Sequence, residues 1–141
     1  MGNCCGGSPE PASAARLGST QAQLLLDVAT TYSNKADELL EQGDFIRALK
    51  HFRKALAIRL NALGPSHPDV AMTYYNIGLA YHSQGKPDEA RQNWRKAAAA
   101  FNAAGVDNEQ SRYVAQFEAR QNWRKAAAAF KAAGVLRAAN E

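Results

Sequence analysis

The sequence predicts an all-α protein: two complete helical hairpins, stacked side by side and closed by a long C-terminal capping helix. Three observations carry the prediction. The frame Asp27-Val28-Ala29-Thr30-Thr31-Tyr32-Ser33-Asn34 returns 42 residues later as Asp69-Val70-Ala71-Met72-Thr73-Tyr74-Tyr75-Asn76. Gly43, Ala48, Phe52 and Ala55 return at the same offset as Gly85, Ala90, Trp94 and Ala97. A fixed period of this size marks stacked units, each of which buries its apolar face only against a neighbour. Between the breaks the chain is alanine-rich with few β-branched residues, which argues against any sheet.

Residues 1–19 are a different material. They are small and polar with no helical stripe, so they are expected to be disordered. Both cysteines sit there as neighbours, Cys4 and Cys5, an arrangement poorly suited to a disulfide and too sparse for a metal site. No apolar secretory h-region is present. The reading that remains is lipidation: Gly2 as myristoyl acceptor once Met1 is removed, with Cys4 and Cys5 placed for palmitoylation. One myristoyl chain holds a membrane only marginally, and the first cation is Arg16, so the palmitoyl chains would supply the second anchor. The sixth position is Gly6 where Ser or Thr is usual. An acylated chain would sit on the cytoplasmic face of a membrane, an unacylated one in the cytoplasm.

The domain proper is expected over residues 20–141. Thr20 and Gln23 have capping-box spacing, and Leu24, Leu25 and Leu26 offer apolar cover ahead of the first unit. That unit, about residues 27–68, runs through Tyr32, Ala36 and Leu39, breaks at Gln42-Gly43-Asp44, and resumes with Ala48, Phe52 and Ala55. The second, about 69–106, runs through Tyr74, Ile77, Gly78 and Tyr81 at helical spacing. Gln84-Gly85-Lys86-Pro87 then ends one helix and starts the next, with Asp88 and Glu89 in its first turn. The cations Arg47, Lys50, Arg53, Lys54, Arg59, Arg91, Arg95 and Lys96 lie on the second helices and are expected to face outward, as a solvated face or, alternatively, as a face for acidic lipid or an acidic partner.

Residues 107–136 hold a copy. Glu89 to Phe101 recurs unchanged as Glu118 to Phe130, 29 residues on. That offset falls short of the main period, and what is missing is the first helix and turn of a third unit. Asp107 and Gln110 can cap the helix start, and Tyr113, Phe117 and Trp123 lead on without a break. One long helix is therefore expected to cap the stack. The copied segment lacks a partner face on one side, so exposed apolar surface is expected near Trp123 and Phe130, a possible seat for self-association.

With its large-to-small order of Tyr74, Ile77, Gly78, Tyr81, Ala90, Trp94 and Ala97, the chain resembles a tetratricopeptide repeat protein. The first unit departs once, with Lys35 where a large apolar residue is usual. The long second helix and the linker from Leu63 to Ala71 resemble those between repeats of kinesin light chains. The resemblance implies a concave groove lined by Thr30, Ser33, Asn34, Asp37 and Glu41, then Met72, Tyr75, Asn76, Leu79 and His82. It implies a protein or peptide partner there, with Asn34 and Asn76 at equivalent places either touching peptide backbone or tying neighbouring helices together. The carboxylate-clamp pattern of chaperone-tail binders fails, because Ser33 and Asp37 stand where that clamp needs Lys and Asn.

Catalysis is not expected. His51, His67 and His82 fall on separate elements without a paired carboxylate, and no phosphate loop, HExxH or GxSxG occurs. His67, just before Pro68, fits a helix cap. No cofactor or metal is implied. The formal charge of +4 is modest and the cations lack an interleaved aromatic platform, so nucleic acid is not an expected partner. The functional expectation is a non-catalytic adaptor tethered by acyl chains. Its rivals are a self-associating structural module and a kinesin light chain-like cargo adaptor.

Overall fold

The computed structural model describes residues 14–134. Five helices follow one another: α1 (Ala14–Glu41), α2 (Phe45–Leu63), α3 (Pro68–Ser83), α4 (Pro87–Ala104) and α5 (Glu109–Ala132). No strand occurs among the described residues. α1 pairs with α2, α3 with α4, and α2 then stacks on α3 and α4 on α5. Gly2, Cys4 and Cys5 lie outside the described residues.

The breaks are where the turn chemistry puts them. Gly43 and Gly85 both adopt positive φ, near +80°, which a residue without Cβ accepts without strain. Asp44 accepts from the Arg47 backbone N–H and caps α2. Pro87 opens α4 with Asp88 and Glu89 in its first turn. His67 caps α3, its Nδ1 accepting from the Asp69 N–H at 3.1 Å.

Two starts differ from expectation. α1 begins at Ala14 and runs unbroken through Thr20. Gln23 reaches forward to Asp27 at 2.9 Å instead of back to a cap. The cap of α5 is Asn108, whose side chain accepts from the Ser111 N–H while the Ser111 hydroxyl accepts from the Asn108 N–H. Asp107 instead pairs with Arg112 at 2.9 Å.

Two clusters form the interior. The first joins Ala36, Leu39, Ala48, Leu49 and Phe52 of the first hairpin to Ile77 and Ala80 of α3. That seat explains Lys35: Ile77 fills the space against the preceding hairpin, whereas among the described residues no hairpin packs before Lys35, which is exposed and bridges to Glu38. The second cluster joins Ala71, Ala90, Trp94, Ala97, Ala100 and Phe101 to Val114 of α5. Of the three leucines expected to give apolar cover, Leu24 and Leu25 are exposed and Leu26 is half-buried, and Ala22 is the buried residue of that stretch.

α5 caps with its first half only. Val114 is buried, while Phe117 and Tyr113 pack edge-on to Trp94. Beyond Val114 no described residue is buried, so the helix runs on uninterrupted as expected and leaves the expected apolar surface at Trp123 and Phe130 exposed.

Candidate partner-binding groove

α1 and α3 carry the positions expected to line a groove, and α2 and α4 pack against them. Backing is partly aromatic: Lys54 covers the ring of Tyr32, Arg53 that of Tyr81 and Lys96 that of Tyr74. In each case the charged group itself lies over the ring, 5.4–5.9 Å from its centroid, on a side chain that stays exposed.

On α1, Thr30, Asn34, Asp37 and Glu41 are exposed. The Thr30 hydroxyl is spent on the Leu26 carbonyl of its own helix, at 3.0 Å. Ser33 is buried, and its hydroxyl accepts from Arg59 at 2.8 Å. The same guanidinium nitrogen donates to the Thr73 hydroxyl at 2.8 Å, and Thr73 donates in turn to the Asp69 carbonyl. Arg59 thus leaves α2 and reaches between α1 and α3, against the expectation that it faces outward. Ser33 is correspondingly withdrawn from the open groove.

This bracket sets the local electrostatics. Burial pulls the Arg59 pKa down, and the charges of Asp69 and Asp37 oppose that pull. Burial raises the Asp37 pKa, with Glu41 one turn away adding to the rise and Arg59 countering it. Nothing in the residue pattern singled out Arg59; the only hint was a lone cation between Ile58 and Leu60.

On α3, Met72, Tyr75 and Leu79 are half-buried against the second cluster. Tyr75 meets Tyr113 of α5 edge-on at 5.9 Å. Burial raises its phenol pKa, and Tyr113 and Glu109 add to the rise. The ring of His82 lies 5.7 Å from that of Trp94. Tyr75 therefore borders α5 and His82 borders α4, and Asn76 between them is half-buried. Neither Asn34 nor Asn76 has a side-chain hydrogen-bond partner among the described residues. An asparagine tying two helices together would have one; Asn34 is exposed and Asn76 half-buried.

Other chemistry is sparse. Among the described residues no three His, Cys, Asp or Glu side chains gather as a metal site, and no helix is long and apolar enough to cross a membrane. His51 bonds the Arg47 carbonyl of its own helix, and His67 serves as the α3 cap.

Comparison with known proteins agrees with this geometry. A family model described as tetratricopeptide repeat matches residues 27–103, which spans both hairpins. The clustered mitochondria protein of Arabidopsis thaliana is 35% identical over 71 residues. Those residues are 50% of this chain but only 5% of that protein.

Proposed function

We propose that this chain, which belongs to the tetratricopeptide repeat family, is a non-catalytic adaptor that takes an extended protein segment in the groove of α1 and α3. Repeats of this family generally mediate protein–protein interaction. The observation that carries the reading is the pair of unpartnered amides, Asn34 and Asn76, at equivalent positions 42 residues apart. Each can donate to and accept from a peptide backbone. Asp37 and Glu41 make one end of the groove anionic and favour a cationic side chain on the bound segment. Met72 and Leu79 offer apolar contact between.

The N-terminal tail gives the second part of the proposal. Acylation at Gly2, with Cys4 and Cys5 as further acceptors, would hold the adaptor at a membrane. The linker and the 42-residue period keep likeness to kinesin light chains as a narrower proposal for the repeat type. Affinity capture with the wild type and the Asn34→Ala/Asn76→Ala pair, read by mass spectrometry, tests the groove. Partners should be lost from the variant at unchanged helix content. Partners recovered equally by both proteins would move binding elsewhere on the surface.

A further inference from the structure

The same thirteen residues meet opposite fates in this molecule. In α4, Trp94, Ala97, Ala100 and Phe101 are buried. Their copies in α5, Trp123, Ala126, Ala129 and Phe130, are exposed, Trp123 by 72% and Phe130 by 52%. Helical phase is the cause. α5 docks through Val114, and Trp123 follows nine residues later, about two and a half turns, so it leaves the helix on the opposite side. Phe130 lies about two turns beyond Trp123 and shares its side, with Ala126 and Ala127 between them. The last polar tie from α5 to the hairpins is Glu118 with Arg95, at 2.7 Å.

Charge distinguishes the two copies as well. In α4, Arg91 pairs with Asp88 and Arg95 with Glu118. From Ala119 to Gly134 the chain carries Arg120, Arg124, Lys125 and Lys131 and no carboxylate. None of the four has an ion-pair partner among the described residues. Arg120, Arg124 and Lys131 are spaced by four and seven residues, so they line one edge of the Trp123–Phe130 stripe.

We propose that this face of α5 docks on anionic lipid. The helix lies flat on the bilayer, Trp123 and Phe130 enter the boundary between headgroups and acyl chains, and Arg120, Arg124 and Lys131 meet the phosphates. An aromatic stripe edged by cations is the chemistry of interfacial helices. Because Trp123 points away from Val114, the hairpins ride above the helix and do not collide with the surface. A second copy fits worse. Antiparallel pairing of two such stripes sets Arg120 and Arg124 of one against Lys131 of the other, with no carboxylate to relieve them. A protein helix would have to repeat the α3 seat, in which Gly78 makes room for the indole and the Tyr75 carbonyl accepts its N–H at 3.1 Å. A lipid interface supplies space and acceptors for tryptophan without any matching sequence. This inference is independent of acylation.

The test uses the full chain carrying Gly2→Ala, which removes the myristoyl acceptor, and vesicles of phosphatidylcholine with and without phosphatidylserine. Co-sedimentation with the anionic vesicles and a blue shift of tryptophan emission are expected. Trp123→Ala and, separately, Arg120→Gln/Arg124→Gln should each lower the partition about tenfold or more, at unchanged helix content by circular dichroism. No association with anionic vesicles, or association indifferent to both variants, would overturn the proposal. So would a dimer by light scattering, without lipid, that Trp123→Ala abolishes; that outcome assigns the face to a second copy. An equal blue shift on adding polyglutamate would assign it to an acidic protein.

Discussion

The indole of Trp94 rests directly on the backbone of Gly78, where a Cβ would collide with its Nε1 and Cδ1 atoms. Its N–H also donates to the Tyr75 carbonyl, so the ring has little room to retreat. Overpacking a filled site costs about 1–3 kcal/mol, whereas replacing a helical glycine by alanine gains at most about 1 kcal/mol. Gly78→Ala is therefore expected to lower the thermal midpoint, followed by circular dichroism. A raised midpoint would mean that the α3–α4 contact is looser than the structure has it.

Trp94 and Trp123 sit in identical thirteen-residue contexts and make a matched pair. Trp94→Ala empties the second cluster and should cost about 3–5 kcal/mol. Trp123→Ala touches no core and should stay within about 0.5 kcal/mol. Urea unfolding of both variants measures the contrast; equal losses would show that the copy is packed.

Truncation separates the two halves of α5. Ending the chain after Glu118 keeps Val114, Phe117 and the bridge to Arg95, and should leave the melting midpoint nearly unchanged. Ending it after Val106 bares the edge of Trp94 and should lower the midpoint markedly. Equal midpoints would make the whole of α5 an appendage.

Asp37 gives a pH dependence of definite sign. Its pKa in the folded state is raised, chiefly by burial, so ionisation favours the unfolded chain. The penalty is absent below the unfolded-state value near 3.8, grows as pH rises toward the folded-state value, and is complete above it. Asp37→Asn should therefore raise the midpoint at neutral pH, and the difference should vanish in acid. A destabilised variant at neutral pH would mean that attraction to Arg59 outweighs burial and Glu41.

Much of this was legible in the chain. The period located both hairpins, and the glycine breaks at Gly43 and Gly85 stand where turn chemistry demands. His67 as a cap was likewise readable from Pro68. What escaped was phase and reach. Exposure near Trp123 and Phe130 was expected from the missing partner face and is found; its helical phase was not read, the nine residues from Val114 to Trp123 turning the second half of the helix away. The cap of α5 fell one residue past Asp107, since Asn108 and Ser111 satisfy each other and Asp107 is drawn to Arg112. Arg59 was invisible because composition does not reveal that a long side chain turns inward between two helices. Of the groove positions, Ser33 was lost to that arginine, while Asn34 is exposed and Asn76 half-buried, neither with a side-chain hydrogen-bond partner among the described residues.

The most direct test of the adaptor reading is site-specific photo-crosslinking in cells, with the photoreactive side chain placed at Asn76 in one protein and at Ile46 in another. Ile46 is exposed on α2 and serves as the control. Crosslinked partner peptides from position 76, absent at position 46, are the predicted result. Crosslinks confined to position 46, or equal at both, would contradict a groove that binds through α1 and α3.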